Sequence, residues 1–292
     1  MKYDITMIGH ISRDIMIYKD EEVRLTGGPV IYSSAAASRS GKKIQVITSA
    51  SAEAEKELES MRKDGVDVLR LDSITTTSIK NIYFSADKEK RKVTLLSQAD
   101  PFTTKNMPET NSTIYHLAGL FRGEIPEDFI PYLFKKGKVG VDAQGLLRCS
   151  EKGKLLFKDW ESKKKFLPMI TYLKTDAAEA EILTGESDRE KAAFILASWG
   201  AKEVMVTHNS EVLVLADGIV HKAPYTPTNL SGRTGRGDTT FAAYLAWRLD
   251  HNPEESVRYA AALCSIKMEK PGPFTGTIED IKSIMEKDVY PS

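Results

Sequence analysis

Apolar residues recur along this chain in short runs separated by glycine, proline and clusters of charge. Tyr3–Ile8 is an apolar run closed by Gly9, the pattern of a buried strand that delivers a loop at its carboxyl end. Ile15 and Ile17, then Val23 and Leu25, alternate with polar residues around the charged segment 19–22 and predict a hairpin with one apolar face. Gly27 and Gly28 open an Ala- and Ser-rich helix that Gly41 ends, and its small side chains permit close packing against a sheet. A strand at 44–48 and a helix at 53–64, with Leu58 and Met61 inward, continue a β-α rhythm. Ile79, Ile82 and Phe84, then Val93 and Leu95, interrupt it with two antiparallel strands around the charged turn 87–92. Strands at 113–117, 138–142, 170–174 and 203–207 then alternate with helical material. A hairpin turning at Asp217-Gly218 precedes helices at 239–248, 256–267 and 278–287.

This order predicts an α/β fold: a doubly wound, mostly parallel sheet flanked by helices. The two β-rich insertions, at about 12–26 and 75–97, would pair into a small β lid. No repeat, low-complexity tract or linker divides residues 1–292, so one domain is expected. An apolar fraction of 41% provides material for a sizeable core. The 41 Lys and Arg balance 41 Asp and Glu, which leaves no net field for nucleic acid or an anionic membrane. Cys149 and Cys264 lack the spacing of a zinc site or disulfide framework and read as intracellular core thiols. No stretch approaches the roughly 18 uncharged apolar residues that span a bilayer, so a cytoplasmic chain is expected.

The most informative string is LSGRTGRGDTTFAAYLAWRL, where Gly235-Arg236-Gly237-Asp238 opens a helix. Glycines let backbone N–H groups approach an anion, and the unpaired N–H groups of the first turn then hold it. An acid there can orient or deprotonate an attacking hydroxyl beside a bound phosphate. The simpler reading is a flexible turn with Asp238 as a helix-stabilising acid. Arg236, with Arg233 nearby, weighs against it, because a cation at the positive end of a helix dipole is easier to understand beside an anion.

Together with Gly27-Gly28 before the small-residue helix, the interrupting lid strands and the later α/β units, this motif resembles the ribokinase-like carbohydrate kinases, or PfkB family, over essentially the whole chain. The resemblance implies an ATP-dependent kinase that phosphorylates a hydroxyl of a sugar or related small polyol, with magnesium. Asp238 would be the catalytic base, and the backbone of Gly235, Arg236 and Gly237 the anion hole. The family's leading acid falls at Gly232, its following Thr at Arg233 and its usual Ala at Arg236. LKTDAAEAEILTG resembles the segment that orders water around magnesium, here through Asp176 and Glu179, although the same pair reads equally as a helix capping box. Direct protein ligands of the metal are left open. Thr207 matches a nucleotide-binding position, and Asn209 replaces a glycine at a turn that asparagine tolerates. His208 reads as an exposed or structural turn residue.

At the acceptor end the resemblance implies Asp14, Gly27 and Gly28 as substrate-binding residues, with Tyr32 standing where an asparagine is frequent. Asp142 and Arg148, with Gln144 between them, lie near another strand end and are further substrate-binding candidates, although a surface loop with a helix-capping acid is an equal reading. Acceptors of the sugar, inositol-like or nucleoside classes follow, with neutral rings ahead of sugar acids unless Arg148 turns into the pocket. The free strand edges and apolar faces of the lid predict a homodimer through it. Two other readings are an inactive nucleotide-binding sensor, from the departures at Gly232 and Asn209, and a dinucleotide-dependent dehydrogenase. The late glycines disfavour the dehydrogenase, because they neither follow the first strand nor match Gly-x-Gly-x-x-Gly.

Overall fold

The computed structural model describes residues 1–19, 21–84 and 91–289. The lid turn expected at 87–92 lies outside the described residues up to position 90, as does Asp20 of the first hairpin. In chain order the elements begin with β1 (Tyr3–Ile8), β2 (Ser12–Tyr18), β3 (Glu21–Gly27), α1 (Pro29–Arg39), β4 (Ile44–Ala50), α2 (Glu55–Lys63), β5 (Asp67–Asp72), β6 (Thr77–Tyr83) and β7 (Arg91–Ser97). There follow β8 (Ser112–Leu117), α3 (Phe129–Phe134), β9 (Lys138–Asp142), α4 (Gln144–Leu147), β10 (Arg148–Glu151), β11 (Lys154–Phe157), α5 (Lys163–Phe166), β12 (Tyr172–Asp176), α6 (Ala177–Thr184) and α7 (Arg189–Ser198). The last part holds β13 (Glu203–Thr207), β14 (Glu211–Ala216), β15 (Ile219–Pro224), α8 (Arg236–Trp247), α9 (Pro253–Met268) and α10 (Ile278–Val289).

Nine strands form the main sheet in the order β15-β14-β13-β12-β9-β8-β1-β4-β5, parallel from β13 to β5. Helices cover both faces, which is why the strands read as continuous apolar runs rather than as alternations. Ile5 and Met7 of β1 pack into one core with Phe241, Tyr244 and Leu263 of α8 and α9. Ile8 joins the opposite core with Val141, Leu173, Trp160 and Leu196. The β14–β15 hairpin is antiparallel and turns at Asp217 and Gly218, whose φ values of 50° and 77° suit a tight turn between twisted strands.

A second sheet of six strands runs β10-β11-β7-β6-β2-β3. β2 and β6 pair in parallel although each belongs to a hairpin. Each leaves the carboxyl end of a parallel main-sheet strand, β1 or β5, so both run outward in one direction. A third hairpin, β10–β11, extends this sheet through β7 and was not anticipated from the sequence. It turns at Lys152 and Gly153, with φ of 49° and 78°. Among the described residues no helix is long and apolar enough to cross a membrane.

Candidate active site

The carboxyl ends of the parallel strands meet the amino end of α8, where open α/β sheets place ligands. Gly235 caps α8 with φ 79°, and a Cβ there would lie 2.3 Å from the Tyr32 ring. The position therefore requires glycine twice, for its left-handed backbone and for the aromatic ring packed on it. Arg236 and Gly237 begin the helix, and Asp238 lies in its first turn; of the three residues expected to form the anion hole, Arg236 has its N–H engaged, donating to the Arg233 carbonyl at 3.2 Å. At Gly232, where the resemblance puts an acid, a Cβ would come within 1.8 Å of the Lys270 carbonyl, so no side chain fits.

Burial is the largest influence on Asp238 and pushes its carboxyl up to about 6; Asp142 adds to the shift, while Lys174, Lys267 and Arg148 oppose it. The result is a carboxylate ionised near neutrality yet basic enough to take a proton. Lys174, in the middle of β12, places its ammonium 3.0 Å from Asp142 Oδ2 and 3.8 Å from Glu179 Oε2. Burial alone would lower this lysine, but the carboxylates of Asp142, Glu179, Asp176 and Asp238 outweigh it and hold it charged, above its usual range. Its Nζ stands 3.1 Å from where a Gly237 Cβ would be, so the charge borders the start of α8.

Asp176 and Glu179 form the capping box of α6. The Asp176 side chain accepts from the Glu179 N–H at 2.8 Å, and Glu179 Oε2 accepts from the Asp176 N–H at 2.8 Å. Burial raises the Glu179 carboxyl well above the ordinary carboxylate range despite Lys174. Asp142, Asp176 and Glu179 thus surround an ammonium, and among the described residues no group of three or more acids, histidines or cysteines is arranged to hold a metal. The residues expected beside magnesium do not form a direct donor set for it.

On the acceptor side, Asp14 lies in β2 opposite Leu25, and its Oδ2 is 2.6 Å from where a Gly27 Cβ would be. Gly27 ends β3, and Gly28 precedes α1 with φ 96°. Tyr32 is buried on α1, and its phenol is raised first by burial, then by Asp14, Asp238 and Tyr83. Asp14, Asp238 and Tyr83 are thus each near enough to act on the Tyr32 phenol, whose ring packs on Gly235 at the start of α8. Arg148 opens β10, the hairpin missed in the sequence, with its guanidinium 4.9 Å over the Phe121 ring centroid. It is near enough to lower Asp238, so it belongs to this cluster rather than to a surface loop.

The donor side is less uniform. Thr207 is 1% exposed and its hydroxyl donates to the Thr175 carbonyl at 3.4 Å, which ties β13 to β12. Asn209 Oδ1 accepts from Arg236 Nη1 at 3.0 Å and from Arg233 Nη2 at 3.4 Å, bracing one guanidinium at the start of α8 and one on the loop before it. His208 is exposed, with Nδ1 3.2 Å from Ser210 Oγ. Sequence reasoning missed Lys174, Lys267 and Tyr83. The available signal was a lysine inside each of two otherwise apolar or small-residue stretches, ITYLKTD and AAALCSIKM.

A family model described as pfkB family carbohydrate kinase matches residues 1–280. Among solved structures the chain is similar to a pyrophosphate-dependent kinase in the ribokinase family, complexed with a pyrophosphate analog and myo-inositol. The identity is 38%, the TM-score 0.88, and the match covers 96% of this chain and 99% of that one. It is 37% identical, with a TM-score of 0.88 over 98% of this chain and 100% of the other, to a pyrophosphate-dependent myo-inositol-1 kinase converted into a myo-inositol-3 kinase by substitution. Among curated proteins it is similar to the cytidine kinase of Thermococcus kodakarensis, 24% identical over 286 residues, 94% of this chain and 99% of that protein. Arabidopsis thaliana ribokinase complexed with ribose and ATP shares the fold, with 18% identity and a TM-score of 0.77 over 98% of this chain and 99% of that chain.

Proposed function

The chain belongs to the pfkB family of carbohydrate kinases, and on that premise we propose that it transfers a phosphoryl group from pyrophosphate to one hydroxyl of an inositol-like cyclic polyol. Asp238 takes the proton of the attacking hydroxyl. The acceptor oxygen forms a bond to one phosphorus of pyrophosphate, the bond from that phosphorus to the bridging oxygen breaks, and orthophosphate leaves with the electron pair. Phosphoryl transfer of this kind depends on alignment and on stabilising charge at the equatorial oxygens. The N–H groups of the first turn of α8 beyond that of Arg236, and the charge of Lys174 beside Gly237, supply that stabilisation.

The observation that carries the reading is the place of Asp238, in the first turn of a helix whose glycine cap packs on the Tyr32 ring and whose start borders the Lys174 ammonium. Asp14 accepts ring hydroxyls, and Tyr32 offers a flat face to a ring. Pyrophosphate suits the braced pair Arg233 and Arg236, because it is a compact polyanion that two guanidinium groups can engage. Similar kinases at 37–38% identity use it. ATP, the donor expected from the sequence, is the alternative, and a nucleoside acceptor is the second reading, favoured by the full-length likeness to a cytidine kinase. The homodimer remains part of the proposal, supported by exposed Val23 and Leu25 on β3, Leu96 on β7 and Phe157 on β11.

The test is an acceptor screen with each donor in turn, covering myo-inositol, other neutral cyclic polyols, cytidine and sugar acids. Phosphorylated product is quantified directly. The reading requires the highest kcat/KM on a neutral cyclic polyol. A preference for sugar acids that disappears in Arg148→Ala would move recognition to Arg148, and the absence of transfer with every donor would leave the sensor reading standing.

A further inference from the structure

Lys267 is a lysine on α9 with 2% exposure, and its ammonium donates to two backbone carbonyls, those of Gly232 and Thr234. Both belong to the loop that leads into Gly235 and α8. The same ammonium lies 5.1 Å from the centroid of the Tyr32 ring, the ring packed against Gly235. A lysine so enclosed is costly, because burial disfavours its charge, and it persists where its bonds do something that an apolar residue cannot.

Those bonds fix the direction of two peptide groups. In a planar trans peptide the N–H points opposite to the C=O. Pinning the Gly232 and Thr234 carbonyls to the ammonium therefore turns the N–H groups of Arg233 and Gly235 away from α9. Gly232 is held on the same side by its own N–H, which donates to the Met268 carbonyl at 2.7 Å. The loop is thus anchored to α9 through its carbonyls, and its donors are presented on the opposite side, where α8 begins.

We propose that Lys267 is the positioning residue of the anion hole, holding the loop before α8 in its oxyanion-binding form and supplying a fixed positive charge behind it. The proposal rests on the reading of this helix end as a phosphate site. The groups that act on the ammonium or stand beside it are Asp238 on α8, Tyr32 on α1 and Cys264 on α9 itself, which Arg236 of α8 also influences, together with Lys270 and Asp280, which line a cavity of about 380 Å³ with Lys267. Burial dominates and brings Lys267 down to about 8, with Cys264 and Asp238 opposing the shift. Its charge, and with it the charge assistance that strengthens both carbonyl bonds, is lost as pH rises through that value. Oxyanion affinity then falls in the same interval.

Inorganic sulfate is the probe, because its charge does not change between pH 7 and 10. Calorimetric titrations on the whole protein compare wild type, Lys267→Met and Lys267→Arg, with thermal unfolding measured on each. Wild type should bind sulfate about 10- to 100-fold more weakly at pH 10 than at pH 7, the range expected when hydrogen bonds lose their charge assistance. Lys267→Met should bind weakly and without this pH dependence. Lys267→Arg, which stays charged throughout, should bind without an alkaline decline. If the methionine variant does not fold, the contrast between wild type and the arginine variant still decides. Wild-type affinity with an unchanged alkaline limb in Lys267→Met, a decline in Lys267→Arg equal to that of wild type, or no sulfate binding to wild type would each overturn the proposal. The readout is binding, so a protein that binds sulfate in this pattern but phosphorylates no acceptor would refute the proposed function and leave the role of Lys267 in place.

Discussion

Replacing Asp238 by asparagine keeps the shape of the side chain and removes its capacity to accept a proton. General-base catalysis contributes about 10² to 10⁴ in rate, so Asp238→Asn should lose that much kcat/KM, or about 3 to 5 kcal/mol of barrier at 1.36 kcal/mol per decade. Donor affinity should survive, because the helix N–H groups are untouched. The wild-type enzyme carries its own control, since the active form is the ionised one. With a pKa of about 6, Asp238 is ionised to roughly 90% at pH 7 and roughly 9% at pH 5, so kcat/KM should fall about tenfold over that interval. Its neighbours set the direction of further shifts. Asp142 raises Asp238, so Asp142→Asn should move the acid limb to lower pH, whereas Arg148 lowers it, so Arg148→Ala should move the limb upward. Initial rates of product formation between pH 4.5 and 8 test all three. Turnover of Asp238→Asn within about threefold of wild type, or limbs that stay fixed in both neighbour variants, would refute the assignment of the base.

Further outcomes follow from the packing. Gly235→Ala should raise the acceptor KM and lower the unfolding temperature, since alanine at φ 79° costs about 1–2 kcal/mol and its methyl displaces Tyr32; wild-type kinetics would contradict the contact. Lys174→Met leaves the 3% exposed Asp142 without its ion pair and should cost about 3–5 kcal/mol in urea unfolding, with the double change of Lys174→Met and Asp142→Leu recovering most of it. A loss below about 1 kcal/mol would show the pair to be dispensable. Light scattering should find a dimer that Leu25→Lys combined with Phe157→Lys dissociates, and a fully active wild-type monomer at high concentration would remove the lid interface.

Local pattern made the main sheet and the end of α8 legible in the chain. β1, β9 and β13 are short apolar runs bounded by glycine or charge, and their limits coincide with the expected ones. Gly235 to Asp238 could be read because one short segment holds the cap, the anion-binding turn and the acid. The β10–β11 hairpin was not legible, because strands of four residues such as RCSE and KLLF bury too little to impose a period. Without that hairpin, Arg148 read equally as a substrate-binding residue and as part of a surface loop. Lys174 and Lys267 were hidden for another reason: a lysine is ordinarily solvated, and only the tertiary arrangement brings carboxylates to one and carbonyls to the other. The capping box at Asp176 and Glu179 was visible from spacing, but the ammonium between those acids and Asp142 was not.

The most direct test of the central claim is transfer from a labelled donor. The protein is given myo-inositol with either ³²P-pyrophosphate or γ-³²P-ATP at equal concentration, and the radioactivity of the inositol monophosphate fraction is followed with time. The account predicts rapid label transfer from pyrophosphate, with one orthophosphate released per phosphorylated ring, and little from ATP. Transfer from ATP alone would contradict the donor assignment, and no label in the cyclic polyol with either donor would contradict the acceptor site built from Asp14, Tyr32 and Asp238.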